Sequence, residues 1–144
     1  MNIYDCFMYF DEDMLLDLRL NILNKYVKKF VITESTYLHS GNKKKLNFDI
    51  QNFSKFKDKI EYIVVDEPPK GIEQIQDEDN IEVKNKKILD NSLKRENNQR
   101  NMQAQGLKNA DDNDLVLLSD LDEIPNLLSF KYKNKITLFI QNVF

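Results

Sequence analysis

The stretch from Leu115 to Pro125 constrains the fold of this chain more than any other. Its first four residues, Leu115–Leu118, form a continuous apolar run, which is typical of a short strand buried on both faces. Charge at the end of a buried strand is costly unless something offsets it. We therefore expect the polar cluster that follows to lie at the carboxyl edge of an open α/β sheet, where such folds bind ligands. That cluster is Ser119, Asp120, Asp122 and Glu123, and a proline ends it.

Asp120 and Asp122 are the candidate metal ligands. Alternate side chains of an extended strand point to the same face, so we expect the two carboxylates to converge. Hard divalent cations prefer oxygen ligands and can keep open positions for phosphate oxygens, which favours Mn²⁺ or Mg²⁺. The alternative is a solvated turn, the usual place of such a pair in an acidic protein. The acidic run at 111–114 comes before the strand, and we interpret that run as a turn.

The composition fits one globular domain over residues 1–144. Of these residues, 41% are hydrophobic and 31% are charged, which is ordinary for a protein with a full core. The net charge of -3 argues against a general nucleic-acid binder. No apolar run has transmembrane length, and the N-terminus lacks the pattern of a signal peptide. We expect the protein in the cytoplasm, either free or peripheral at the inner membrane face.

Several kinds of site are excluded by what the chain lacks. One cysteine, Cys6, excludes an internal disulfide, and one histidine, His39, leaves too few ligands for a Cys/His zinc site. Three glycines without a glycine-rich turn exclude a P-loop and a dinucleotide fingerprint. We expect Cys6 to pack as a small buried hydrophobe and His39 to lie at the surface.

Apolar runs that alternate with helical patterns predict an α/β fold, with a mostly parallel sheet and helices on both faces. A helix capped by Asp11 or Asp13 is expected to run to about Asn24, and a second helix, broken once, to cover 81–109. The run at 136–143 predicts a last strand beside the strand of 115–118. The other predicted strands cover residues 3–10, 27–33 and 60–65.

The first helix carries a predicted buried stripe at helical spacing, formed by Met14, Leu15, Leu18 and Ile22. Arg19 lies beside this stripe, and we expect it to form a structural ion pair with Asp5 or Glu34. Asp5 itself has two possible places, a solvent-facing strand edge or the wall of a ligand pocket. We favour the solvent-facing edge.

Three segments together resemble glycosyltransferase family 17, which includes the β-1,4-mannosyl-glycoprotein 4-β-N-acetylglucosaminyltransferases. Residues 119–125 resemble its Asp-x-Asp-Glu-Ile-Pro signature. Residues 14–23 resemble its early Leu-Leu-x-x-Arg-x-x-x-Leu helix, and residues 30–41 resemble its strand ending in Glu-Ser-x-x-x-x-x-Gly. The three matches occur in the family's order and cover most of residues 3–125.

The resemblance implies a GT-A-like nucleotide-sugar-binding domain that uses UDP-N-acetylglucosamine or a related UDP-sugar and a glycan acceptor. Asp122 would coordinate Mn²⁺ or Mg²⁺, and Asp120 would contact the metal or the ribose. Glu34 and Ser35 would lie on the nucleotide side of the cleft, although Ser35 could instead cap a turn. Arg100 would reach the pyrophosphate or a metal-site carboxylate, unless it is a solvent-facing helix residue. The lysines at 43–45 form either a solvated loop or one that closes over a diphosphate.

The resemblance also implies inversion at the sugar carbon, which needs a carboxylate base. Glu123 is a weak candidate, since its side chain should point away from the face of Asp120 and Asp122. The base is therefore unassigned.

Family members are typically longer, and only 19 residues follow Pro125 here, so we expect a domain that largely lacks the acceptor-binding half. One alternative function is therefore an inactive or partner-dependent nucleotide-sugar-binding fragment, with a protein partner covering the free sheet edge. Another is phosphoryl transfer by an aspartate nucleophile, which the position of the pair disfavours, because that pair would be expected after the first strand.

Overall fold

The computed structural model describes residues 1–132 and 135–140. Within this part of the chain, four strands form one parallel sheet in the order β3-β2-β1-β4. The fold is α/β, as predicted. Its elements are β1 (Ile3–Met8), α1 (Asp13–Leu23), β2 (Lys29–Ser35), a first 3₁₀ helix (Ile50–Phe56), β3 (Ile60–Val65), α2 (Ile81–Met102), a second 3₁₀ helix (Gln103–Leu107) and β4 (Leu115–Leu118).

The order of the strands creates a crevice at one edge of the sheet. The chain moves outward from β1 through β2 to β3, and it then returns to pair β4 with the other side of β1. Asp5 lies opposite Phe30 on β2 and opposite Leu117 on β4. Open α/β sheets bind ligands where the strand order reverses, which here lies between the carboxyl ends of β1 and β4.

Helical elements cover both faces of the sheet, as predicted. On one face, α1 packs Leu16, Leu20 and Leu23 against Phe7 and Phe30. On the other face, Leu107 and Ala110 of the chain after α2 pack against a smaller cluster. Its buried members are Tyr4, Cys6, Val31 and Ile63. Alternate residues of each strand supply the two clusters, because successive side chains point to opposite faces.

The second 3₁₀ helix lies directly against the second face of the sheet. A Cβ atom on Gly106 would lie 2.4 Å from Cγ1 of Val31, so only glycine lets the second 3₁₀ helix touch the sheet. Cys6 is fully buried beneath this layer, and burial raises the pKa of its thiol to about 12. Cys6 is therefore the small buried hydrophobe that the sequence predicted.

Arg19 and Asp5 form a fully buried ion pair between α1 and β1. The Nε and Nη2 atoms of Arg19 donate to the two carboxylate oxygens of Asp5 at 2.9 and 2.7 Å. Burial raises the pKa of Asp5, while the bonds from Arg19 oppose that shift. The predicted ion pair is confirmed with Asp5 as the partner. The preferred solvent-edge position of Asp5 is wrong, because β1 is an inner strand with a neighbour on each side.

The predicted buried stripe of α1 is also wrong. Met14 is 83% exposed, and Leu18 and Ile22 are exposed as well, while Leu15 only partly packs against the core. The buried face is instead Leu16, Arg19, Leu20 and Leu23. The helix therefore carries two apolar stripes on different faces. The stripe that contains Arg19 is the buried one, because Arg19 pairs with the buried Asp5. The helix cap differs too, since Glu12 is the N-cap residue rather than Asp11 or Asp13.

The strand β4 is less buried than its apolar sequence predicted. Leu117 is buried, but Leu118 is 59% exposed and Val116 is exposed too. The exposed Val116 and Leu118 share one face of the sheet, because alternate side chains point the same way, and on that face α2 and the second 3₁₀ helix pack mainly over β1, β2 and β3. Residues 136–140 form no strand, which contradicts the predicted last strand as far as Ile140, and 141–143 lie outside the described residues.

The acidic run before β4 forms a turn, as predicted. The carboxylate of Asp114 accepts hydrogen bonds from the backbone N–H groups of Asn2 at 2.6 Å and Asp111 at 3.1 Å. These bonds lower the pKa of Asp114 to about 2. The turn thus fixes the start of β4 against the start of β1.

The two stripes of α1 can be told apart by alanine substitution. Leu20→Ala should lower the free energy of unfolding by about 2–5 kcal/mol, because Leu20 is fully buried in the core. The matched control, Leu18→Ala, should cost less than about 1 kcal/mol, since its side chain is 49% exposed. Urea unfolding followed by circular dichroism measures both. Equal losses would show that both stripes are packed.

The buried ion pair predicts a large loss on removal of one partner. Arg19→Met should lower the free energy of unfolding by about 3–5 kcal/mol, because Asp5 would stay buried without a counter-charge. Adding Asp5→Val should recover part of that loss. The exposed control Lys25→Met should change little. If Arg19→Met were as stable as the parent protein, the pair would not stabilise the fold.

Candidate functional site

A cleft of about 480 Å³ opens at the carboxyl ends of β1, β2 and β4. It lies at the point where the strand order reverses, which is where the fold predicts a ligand site. The volume is in the usual range for small-molecule sites. The cleft is lined by Met8, Tyr9, Phe10, Glu12, Leu15, Ser35, Tyr37, Leu38, His39, Lys44, Gln99, Asp120, Leu121 and Asp122.

Asp120 and Asp122 both line this cleft. The sequence predicted that an extended strand would point both side chains to one face, and this is not how they reach the cleft. Strand β4 ends at Leu118, and the two aspartates lie in a tight turn rather than on an extended strand. The backbone N–H of Glu123 donates to the carbonyl oxygen of Asp120 at 3.1 Å and closes that turn. The two residues therefore reach one cavity through the turn and not through the alternation of a strand.

Arg19 holds this turn from beneath. Its Nη1 atom donates to the backbone carbonyl oxygens of Asp120, Leu121 and Glu123 at 2.7, 3.0 and 3.2 Å. Its Nη2 atom also donates to Oγ of Ser119 at 2.7 Å. The buried ion pair with Asp5 therefore positions the backbone that carries both candidate metal ligands.

Glu123 folds back onto the same turn. Its Oε2 atom accepts a hydrogen bond from the backbone N–H of Asp120 at 3.0 Å. Its side chain is not among those that line the cleft. In this structure Glu123 caps the turn, which leaves it poorly placed to act as a catalytic base.

Arg100 contacts the carboxylate of Asp120, a candidate metal ligand. A contact with a metal-site carboxylate was one of the two that the resemblance implied, the other being the pyrophosphate. Its Nη2 atom lies 3.1 Å from Oδ1 of Asp120 and 3.1 Å from Oε1 of Glu96 on the same helix. Partial burial lowers the pKa of Arg100, but the hydrogen bonds to Glu96 and Asp120 outweigh it and raise that pKa. Arg100 thus bridges α2 and the turn after β4.

Glu34 lies beneath the cleft and is fully buried. Its carboxylate accepts bonds from Lys44 Nζ, from the N–H groups of Asn47 (2.7 Å) and Phe48 (3.1 Å), and from Tyr62 Oη (2.8 Å). Burial and the bond to Glu34 raise the pKa of Tyr62. In this structure Glu34 organises the loop after β2, and its predicted contact with a nucleotide stays a prediction.

Ser35 differs from Glu34, because it lines the cleft directly. Its hydroxyl donates to the backbone carbonyl oxygen of Tyr37 and so shapes the start of the following loop. Both predicted roles of Ser35 are therefore compatible with its position. It is a turn-forming residue whose side chain faces the cavity.

The loop of residues 36–45 forms one wall of the cleft. Tyr37 and Lys43 form an antiparallel bridge, and Gly41 turns the chain with a φ of 97°. Arg95 of α2 donates to the carbonyl oxygen of His39 at 2.9 Å, and its Nη2 atom lies 2.7 Å from where a Cβ of Gly41 would be. A bridge within the loop and a hydrogen bond from α2 therefore hold this loop in place.

The three lysines of the run differ in position, and the predicted closure over a diphosphate stays a prediction. Lys44 lines the cleft and pairs with Glu34 beneath it, while Lys43 and Lys45 are exposed. His39 also lines the cleft and is partly buried, so the expected surface position was only partly right. One lysine of the three thus lines the cavity, and its ammonium group is paired with Glu34.

The sequence analysis missed two polar residues of the cleft. Buried Gln99 donates from Nε2 to the carbonyl oxygen of Thr33 at 3.0 Å, which ties α2 to the end of β2. The Oε2 atom of Glu12 accepts from the N–H groups of Phe10 and Asp11, both at 3.1 Å. The signal for Glu12 was its place just after β1, and the signal for Gln99 was its place beside Arg100 in the family resemblance.

The described part of the chain contains no group of three or more His, Cys, Asp or Glu side chains that could hold a metal ion. Asp120 and Asp122 nevertheless offer two carboxylates at one cavity, with the oxygen chemistry that Mn²⁺ and Mg²⁺ prefer. Magnesium is usually held by one or two carboxylates together with substrate phosphates and water. The residues present fit a metal that a bound diphosphate helps to hold.

The fold and the cleft define an open α/β domain with an acidic site at a strand-order reversal. Comparison with protein families assigns it further, because the model of glycosyltransferase family 17 matches residues 1–135. The chain belongs to glycosyltransferase family 17, which supports a general role in glycosyl transfer. No curated protein and no solved structure matches the chain. Among the described residues, no helix is long and apolar enough to cross a membrane.

The role of Glu34 as an organiser of the loop can be tested by removing its charge. In Glu34→Gln, amide hydrogen exchange at Asn47 and Phe48 should accelerate about tenfold or more, because their charged acceptor is lost. Exchange in β1 should change less. The control Glu61→Gln removes a half-exposed carboxylate 3.8 Å from Lys29, and exchange at both amides should stay unchanged. Unchanged exchange in Glu34→Gln would contradict this role.

Proposed function

We propose that the chain binds a UDP-sugar in this cleft and transfers the sugar, with inversion, to a hydroxyl of a glycan. The resemblance of the sequence implies N-acetylglucosamine as that sugar. The observation that carries the proposal is the meeting of Asp120 and Asp122 in one cavity at the strand-order reversal. Family membership supports the reaction class, and the cleft supports the position of the donor.

In the proposed complex, Asp120 and Asp122 would hold Mn²⁺ or Mg²⁺ at the diphosphate. When bound, such a cation supplies Lewis-acid stabilisation of the charge that grows on the departing UDP. The two side chains lie on a turn whose backbone is held by Arg19, so the backbone of the site is in place before a ligand arrives. A preorganised site of this kind avoids reorganisation during the reaction.

Two cations of the chain are placed to assist the same phosphates. Lys44 lines the cleft, and the guanidinium of Arg100 lies 3.1 Å from Asp120 at its edge. Both can donate charge-assisted hydrogen bonds to phosphate oxygens. Met8, Phe10 and Leu38 supply apolar walls, which suits a ligand with a flat base at one end.

A second candidate function is nucleotide-sugar binding without transfer. It is favoured by the position of Glu123, whose carboxylate bonds back to the N–H of Asp120 and does not face the cleft. Inversion needs a base, and Glu12 is the only further carboxylate in the described lining of the cleft. Binding without transfer would need no base.

Calorimetric titration with UDP tests the donor site. UDP should bind in the presence of Mn²⁺, and removal of the metal with EDTA should weaken that binding. Asp122→Ala should weaken it at least about a hundredfold, since losing even an indirect partner of a metal commonly costs 10–100-fold. The control Asp112→Ala removes an exposed acidic residue from the turn before β4 and should bind UDP as the parent protein does.

Absence of UDP binding by the folded parent protein would contradict the proposal. If binding is observed, an assay of sugar transfer from UDP-N-acetylglucosamine to a glycan mixture separates the two candidate functions. Turnover that Asp122→Ala abolishes would support the transferase. Tight, metal-dependent binding with neither turnover nor donor hydrolysis would support the second candidate.

A further inference from the structure

A second cavity, of about 530 Å³, lies at the opposite edge of the sheet from the cleft. Its lining includes Tyr4 of β1, Lys28 and Lys29 at the start of β2, and residues 61–64 along β3. Tyr4 lies opposite Lys29 in the pairing of β1 with β2, and Val31 lies opposite Glu61 in the pairing of β2 with β3. The side chains of Tyr4, Lys29 and Glu61 therefore share the face that the second 3₁₀ helix covers.

The wall of this second cavity is held firmly against the sheet. Gly106 packs directly on Val31, where no larger residue would fit. The hydroxyl of the buried Tyr4 donates to the carbonyl oxygen of Asn109 at 2.9 Å. Gln105, Gly106, Lys108 and Asn109 thus form a fixed wall opposite the ends of the strands.

Three lysines line the second cavity against one carboxylate. They are Lys28, Lys29 and Lys108, and the carboxylate is Glu61. Glu61 lies 3.8 Å from Nζ of Lys29, and both side chains are well exposed, so their attraction is weak. Among the described residues, no carboxylate lies within ion-pair distance of Lys28 or Lys108. Nζ of Lys28 lies 5.8 Å from the centre of the Tyr4 ring.

This local excess of positive charge stands out in a chain whose net charge is -3. A concave site lined by one sign of charge attracts ligands of the other sign. Lysine ammonium groups on flexible stems act as point charges, which suit the tetrahedral oxygens of phosphate. A planar carboxylate is better matched by the fork of an arginine, and no arginine lines this cavity in the described structure.

We propose that the second cavity is a binding site for the phosphate group of a phosphorylated small molecule, separate from the cleft. Lys28 and Lys108 would supply the charge from opposite sides, and Lys29 would join them by leaving its weak contact with Glu61. The site needs no metal, since its charge comes from lysines. Its position at the other edge of the sheet makes it independent of the proposed donor site.

The experiment uses inorganic pyrophosphate as the probe and a ¹⁵N-labelled full chain in metal-free buffer of low ionic strength. Two-dimensional NMR should show saturable shifts of the amides at 28–29 and 105–109. Lys28→Gln combined with Lys108→Gln should raise the dissociation constant about tenfold or more, through loss of two charge-assisted contacts. The control pair Lys70→Gln and Lys86→Gln changes the net charge equally on exposed lysines elsewhere and should leave binding unchanged.

Three results would overturn the proposal. Shifts confined to 36–45 and 119–123 would place the anion in the cleft. An equal loss of affinity in the control pair would mean that only overall charge matters. Absence of shifts at millimolar pyrophosphate would show that the second cavity binds no phosphate. Asp122→Ala should leave pyrophosphate binding unchanged, so this outcome is separate from the result of UDP titration.

Discussion

The buried pair of Arg19 and Asp5 is the interaction on which the rest of the structure depends. Two charges removed from water are costly, and they stabilise a fold only when geometry and further hydrogen bonds compensate. Here the guanidinium bonds to both oxygens of Asp5 and to three carbonyl oxygens of the turn after β4. The same side chain packs α1 on β1 and shapes the backbone of Asp120 and Asp122. Core stability and site geometry are therefore coupled in this protein.

Much of the fold could be predicted, because several segments carry their own local signal. The strand at Ile60–Val65 was predicted to the residue, since a β-branched and aromatic run ends there before a pair of prolines. The ion pair of Arg19 was predictable because an arginine beside an apolar stripe needs a counter-charge. The resemblance to glycosyltransferase family 17 was confirmed.

The errors arose where two local patterns compete or where neighbours decide burial. The helix α1 has two interleaved apolar stripes, and only the position of Asp5 on an inner strand selects the face with Arg19. The exposure of β4 depends on how far the helices on one face extend over the sheet, which its own sequence does not encode. The donors to Glu34 come from Lys44, Asn47, Phe48 and Tyr62, so no local motif could reveal them.

The charge balance of the cleft also bears on the proposed metal. The described lining of the cleft contains three carboxylates, those of Glu12, Asp120 and Asp122, but only one lysine, Lys44, which already pairs with Glu34 beneath it. Arg100 is shared between Asp120 and Glu96. A diphosphate entering this cleft alone would meet net negative charge at short range, where repulsion is strong. A divalent cation that binds with the donor would offset that negative charge, and this supports the proposal that the donor binds together with a metal.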